Sequence, residues 1–183
     1  MSNDVRVVVT GMGLVTPLGV GLQKNWDSLV AGKSGIGRVT KFDPERLPAQ
    51  IAGEVKDFNP IDFIEPKEVK KMDTFIQFVM GATHMALEDA GMKAPDSEVA
   101  HRYGAVIGVG LGGLPAIENY KLILEEKGPK RLSPFFIPML LANLAAGQVS
   151  MRWGLKGPNT CTVTACASGN HAIGDAMKFI QRG

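Results

Sequence analysis

Cys166 stands in the run Thr164-Ala165-Cys166-Ala167-Ser168-Gly169, and its surroundings are those a thiol needs to act as a nucleophile. Upstream, Thr160-Cys161-Thr162-Val163-Thr164 is β-branched and apolar, which predicts a short buried strand; downstream, Gly169 to Gln181 carries apolar residues at helical spacing. The cysteine is therefore expected at a strand-to-helix elbow, at or just before a helix N-terminus. Unpaired N–H groups and the positive end of the helix dipole favour thiolate over thiol at such a place. The same N–H groups can hold the oxyanion of a tetrahedral intermediate. Small neighbours on both sides leave room for a substrate, as in the serine elbow of hydrolases. Cys161, inside the strand, reads instead as a small core hydrophobe.

Thiol chemistry usually needs a base, and the candidates are His84, His101 and His171. His171 follows Cys166 by five positions, about 140° around a helix of 3.6 residues per turn, so it is expected to face away from the thiol. His84 lies beside the apolar stripe of a long helix and His101 precedes a strand, which suits structural or solvated roles.

The elements that must position the cysteine follow from periodicity and punctuation. Val5 to Thr10 reads as a buried strand, and Leu22 to Ala31 as a short helix stopped by Gly32. Arg38 to Pro60, with its prolines, reads as an irregular surface excursion. A long helix is predicted from Lys67 to Ala90, with Met72, Phe75, Ile76, Val79, Thr83, Ala86 and Ala90 on one stripe and Gly91 as its stop. Tyr103 to Val109 predicts a second buried strand, Pro115 to Glu126 a helix, and Pro138 to Met151 a helix lined by Ala142, Ala145, Ala146 and Gly147. Strands alternating with helices predict an α/β protein with a mostly parallel sheet covered by helices on both faces.

A competing motif, Gly108-Val109-Gly110-Leu111-Gly112-Gly113, satisfies G-x-G-x-x-G between a strand and a helix, the context of a dinucleotide-binding turn in an oxidoreductase. That fingerprint also requires an acidic residue at the end of the next strand, about 20 positions on. Here the corresponding stretch is Gly128-Pro129-Lys130-Arg131-Leu132-Ser133-Pro134, with neither strand nor acid. Gly11-Met12-Gly13 fares no better, since Thr16 stands where a third glycine is needed.

Several long motifs occur together and in order: Val7-Val8-Val9-Thr10-Gly11-Met12-Gly13-Leu14-Val15-Thr16-Pro17-Leu18-Gly19, Met72-Asp73-Thr74-Phe75-Ile76-Gln77, Ser133-Pro134-Phe135-Phe136-Ile137-Pro138, Gly154-Leu155-Lys156-Gly157-Pro158-Asn159 and Thr-Ala-Cys-Ala-Ser-Gly. Through these the chain resembles the β-ketoacyl-acyl carrier protein synthases, in particular the type II elongating enzymes. The resemblance implies a thiolase-like layered α/β fold. In that family two similar halves share one longer polypeptide, so residues 1–183 are expected to form the N-terminal half, with the C-terminal half absent from this chain. It further implies that Cys166 carries the acyl group, that Leu111 sits at the bottom of the acyl pocket, and that Phe135 and Phe136 line that pocket near a two-fold interface. The family's two catalytic histidines, a supporting lysine and a glycine-rich oxyanion loop belong to the other half. No residue of this chain matches them.

The expected reaction is decarboxylative Claisen condensation between an acyl group on Cys166 and a malonyl thioester, without metal or organic cofactor. An acyl carrier protein is the expected partner and a homodimer the expected assembly. Lys67, Lys70 and Lys71 crowd the start of the long helix, where cations oppose the dipole; Glu65 and Glu68 soften that penalty. Residues alone read this run as a solvated face. By the resemblance these lysines, with Lys130 and Arg131 as a second basic site, dock the acidic carrier. Rival readings are a polyketide ketosynthase, a thiolase-type acyltransferase, or a non-catalytic fragment or assembly subunit.

Composition limits the alternatives. The chain has 183 residues, 45% apolar and 21% charged, with a formal net charge of +2, which gives no strong pull toward nucleic acid. Two cysteines across one elbow form no disulfide framework and fit a reducing compartment. No stretch approaches the roughly 18 apolar residues of a membrane span, and Met-Ser-Asn-Asp enters the first expected strand without room for a signal peptide. A cytoplasmic protein is expected.

Overall fold

The computed structural model describes residues 5–183; Met1 to Asp4, the short lead-in noted above, lie outside the described residues. In chain order the elements are β1 (Val15–Thr16), β2 (Gly19–Val20), α1 (Leu22–Val30), β3 (Ile36–Arg38), β4 (Ile51–Gly53), α2 (Pro66–Val69), α3 (Thr74–Asp89), β5 (Ala105–Gly108), α4 (Leu114–Lys127), α5 (Phe136–Leu140), α6 (Leu144–Trp153), β6 (Asn159–Thr162) and α7 (Ser168–Arg182).

At the centre, β5 and β6 pair in parallel, Ala105 opposite Asn159 through Gly108 opposite Thr162. The period of two sorts β5 between two layers. Ala105 and Ile107 join the apolar core with Met72, Ile76, Met80, Ala146 and Val149 of the α3–α6 side. Val106 faces α7 beside Ala176 and Phe179, and Gly108 lies under the first residue of α7. The layers are thus α7, the parallel pair, α6 and then α3, an α/β arrangement with helix on both faces. Ala145 and Ala146 are fully buried in α6, so the small side chains do allow close approach.

The sheet is narrower than the alternation predicts. Val5 to Thr10 forms no strand, and Val8 and Val9 are 59% and 78% exposed, because this β-branched run finds no ladder partner among the described residues. The segment after it lies along α3. A Cβ on Gly11 would meet the Ala86 carbonyl oxygen at 2.3 Å, and one on Gly13 the Ala82 oxygen at 1.9 Å, so these glycines serve backbone contact. The Met12 N–H donates to Asp89 Oδ2 at 2.9 Å.

Arg38 to Pro60 is more ordered than its composition suggests: β4 pairs antiparallel with β3, Arg38 opposite Ile51. Buried Glu54 closes the loop between them by accepting from the Thr40 N–H and hydroxyl and from the Lys41 N–H. A second ribbon, β1–β2, is tied to α1 by buried Asn25, whose Nδ2 donates to the Gly19 and Gly21 carbonyls at 2.9 and 2.7 Å while its Oδ1 accepts from the Thr16 hydroxyl.

Two predicted helices are each broken in two. The run Lys67–Ala90 is interrupted between α2 and α3, where Asp73 takes an extended ψ of 161°. Gln77 Nε2 donates to the Val69 and Met72 carbonyls at 3.2 and 2.9 Å, supplying a donor to Met72 and a second one to Val69, which also accepts the Met72 N–H. The run Pro138–Met151 is likewise split at Leu141, extended with ψ 125°, and its first part begins earlier, at Phe136. Among the described residues no helix is long and apolar enough to cross a membrane.

Candidate active site

The chain leaves β6 at Thr162, makes a one-turn 3₁₀ segment at Ala165–Ala167, and enters α7 at Ser168. Ala165 has φ +50°, a left-handed conformation that a non-glycine residue holds only when its surroundings enforce it. Ser168 is what enforces it. Only 3% exposed, its Oγ accepts from the Thr164 N–H at 2.9 Å and lies 2.7 Å from the Ala165 oxygen and 3.1 Å from the Val109 oxygen. The Thr162 hydroxyl donates to the Ser168 carbonyl at 3.0 Å. Gly108 lets this knot close onto β5, since a Cβ there would stand 2.2 Å from the Ser168 oxygen. The effect is to hold Cys166 at the crown of the turn, exposed, with Ala165 and Ala167 exposed on either side.

Sequence reasoning noted Ser168 only as a small neighbour and missed its part. A serine at the first helical position after an elbow, able to bond back to the turn, was the available signal.

Cys161 lies in β6 opposite Ile107, half-buried, and its burial pushes the thiol pKa up. His171 Nδ1 lies 3.5 Å from the Thr164 hydroxyl and Nε2 3.5 Å from Asp175 Oδ2, so it braces the start of α7. His84 packs edge-on against Phe63 and pairs with Glu88 at 3.3 Å, and His101 is an exposed residue ahead of β5.

The glycine-rich turn from Gly108 to Gly113 runs beside the elbow, and a Cβ on Gly110 would touch the Ala165 oxygen at 3.7 Å. Leu111, next in this turn, is 71% exposed. At the other end of the turn the Asp73 carboxylate accepts the Ala116 N–H at 2.9 Å. A dinucleotide pyrophosphate would need the N-terminus of α4, and that position already carries an internal anion. The glycines serve close backbone packing, Gly113 against Leu140 and Met139.

The remaining candidates occupy a different part of the surface. Lys67 and Lys70 are exposed, and Lys130 and Arg131 project from a 3₁₀ turn at Pro129–Arg131. Lys71 is half-buried, paired with Glu68 at 2.8 Å, and its Nζ sits 5.1 Å from the centroid of the Phe135 ring. Phe136 packs instead against Tyr120 of α4, ring centroids 4.7 Å apart and planes tilted by 43°. Phe135 and Lys71 share a cavity of about 370 Å³ with Met72, Met80 and Met151, and its lining does not include Cys166. The structure thus joins Leu111 to the nucleophile turn and Phe135 to the basic cluster.

A parallel β-α layer with a strained, solvent-facing cysteine elbow defines an α/β protein of the ketosynthase and thiolase-like type. The chain belongs to the β-ketoacyl synthase family: the model of that family's N-terminal domain matches residues 4–183. A 3-oxoacyl-[acyl-carrier-protein] synthase 2 of Synechocystis sp. is 47% identical over 97% of this chain and 42% of its own length. The synthase 2 of Rhizobium meliloti is 50% identical over 97% of this chain and 44% of its own. Among solved structures, a β-ketoacyl synthase from Burkholderia phymatum superposes with a TM-score of 0.79 at 29% identity, covering 97% of this chain and 44% of that one. The chain therefore spans less than half the length of the relatives it matches.

Proposed function

We propose that this chain carries the acyl-binding nucleophile of a 3-oxoacyl-[acyl-carrier-protein] synthase of the type II, fatty-acid-elongating kind, as the N-terminal half of that domain. The observation that carries the reading is Cys166, exposed at the crown of an elbow that Ser168 and Gly108 lock at the N-terminus of α7. Identity of 47% and 50% to synthases of that name supports it.

Cys166 Sγ attacks the carbonyl carbon of an acyl-carrier thioester. Its own backbone N–H is one donor to the oxyanion, and the carrier's thiol leaves with the acyl group now on sulfur. A malonyl thioester then loses carbon dioxide, its electron pair becoming the enolate. The enolate carbon bonds to the acyl carbon as the bond to Cys166 breaks, giving a 3-oxoacyl thioester longer by the two carbons malonate retains. Sulfur keeps the carbonyl electrophilic between the two halves of the reaction, which an oxygen ester would do less well. In this scheme the groups that assist decarboxylation come from the part of the polypeptide beyond this chain, since His84 and His171 pair with carboxylates on their own helices and His101 is an exposed residue ahead of β5. Leu111, Phe135 and Phe136 are assigned to the acyl pocket. Lys67, Lys70, Lys71, Lys130 and Arg131 are assigned to docking an acidic acyl carrier protein, for which electrostatic steering suits a transient encounter. A homodimer completes the proposal.

The test is incubation of the full-length protein with an acyl-carrier thioester, followed by intact mass and peptide mapping. An acyl adduct on Cys166, lost in Cys166→Ala, is expected. Acyl transfer without modification of Cys166 overturns the assignment.

A further inference from the structure

The basic cluster proposed for carrier docking is not uniform. Lys67 and Lys70 stand in solvent, whereas Lys71 is held from two sides, by the Glu68 carboxylate at 2.8 Å and by the face of Phe135 at 5.1 Å. Both holds are weak ones. The ion pair is one turn apart on a half-exposed surface, with side-chain exposures of 34% and 35%, and the ring lies within the range of about 6 Å in which an ammonium is attracted to an aromatic quadrupole. Phe135 is itself 40% exposed and walls the cavity that reaches past Met72 to Met80. A cation held this loosely is half-exposed and open to an incoming anion.

We infer that Lys71 links carrier docking to Phe135: an acidic partner that draws the ammonium from Glu68 also lifts it off the Phe135 ring, releasing that ring at the cavity mouth. The inference rests on the carrier-docking reading above. Its physical content is an exchange of one weak set of contacts for another, so the free state resists docking through Lys71 by what those contacts are worth. For an exposed cation–π contact this is about 2- to 5-fold in affinity. Lys67 and Lys70 have no such resistance to overcome.

The sign of the effect makes the test sharp. With the full-length protein and an acyl carrier protein bearing no acyl group, at low ionic strength, Phe135→Leu should tighten binding by about 2- to 5-fold. That change should have no effect when Lys71→Met is present, because the restrained cation is gone. A 4-fluorophenylalanine at position 135 should shift its fluorine resonance on carrier binding in the parent and not in Lys71→Met. A merely structural Lys71 would not move that signal. Additive effects in the paired variants, or weaker carrier binding in Phe135→Leu, overturn the linkage. The double reversal Lys67→Glu, Lys70→Glu is the separate control. If it leaves binding unchanged, the docking reading itself fails; if it weakens binding while the Lys71 effects are additive, only the linkage fails.

Discussion

At the residue scale the two cysteines share one chemistry and differ through their surroundings. Cys161 is held in β6, where burial favours its neutral thiol and raises its pKa above the ordinary 9.0, while Cys166 is open to solvent on the turn. At pH 8, iodoacetamide should therefore alkylate Cys166 first, and labelling of Cys161 should lag and rise only as the pH passes the ordinary thiol range. Peptide mapping over time checks this. Labelling of Cys161 first would show that the elbow does not present its sulfur as described. Position and flanking small residues made Cys166 legible in the sequence. The role of Ser168 was not, because its partners Val109 and Thr164 follow different strands, far apart in sequence, and are brought together only by the β5–β6 pairing.

At the element scale, Asp73 joins two helices that the sequence did not suggest were in contact. It ends the α2–α3 break and places its carboxylate on the N-terminus of α4, 43 positions away. Asp73→Ala should cost about 0.5–2 kcal/mol, the range of a lost helix-terminal acceptor, and Asp73→Asn less, since an amide oxygen can still accept from Ala116. Urea unfolding of the parent and both variants measures this; equal stabilities would mean the contact contributes nothing. The break itself was hidden from periodicity. The apolar stripe of Met72, Phe75, Ile76 and Val79 continues across it, and Gln77, which donates to the Val69 and Met72 carbonyls, looks like any polar helix residue in one dimension. The strand expected at Val5–Thr10 failed for the converse reason. A β-branched run states a preference, but a strand exists only where another offers its N–H and C=O groups.

For the molecule as a whole, apolar surface is distributed unevenly. Val8, Val9, Val163, Ile173 and Ile180 are between 55% and 78% exposed, and a groove of about 620 Å³ lies between Val106 of β5 and Ala176 and Phe179 of α7. Large apolar side chains left this exposed offer surface that a further domain or partner can cover. The 183-residue chain on its own should bind 8-anilinonaphthalene-1-sulfonate with enhanced fluorescence, and a full-length protein of this family should do so much less. Fluorescence titration at equal molar concentration decides between them.

Pattern along the chain determined the elements that are long and local: α1, α4 and α7, the separate strands β5 and β6, and the placement of Cys166 between strand and helix. These depend on periodicity, capping and turn residues a few positions apart, which a linear reading contains. Tertiary structure alone decided where Asp73, Ser168 and Lys71 direct their polar groups, how Gly11 and Gly13 seat the N-terminal segment on α3, and that Phe135 and Phe136 pack against different partners. Each of these is a contact between residues distant in sequence, fixed by how layers pack and by the need to satisfy every buried donor and acceptor, and no local preference encodes it.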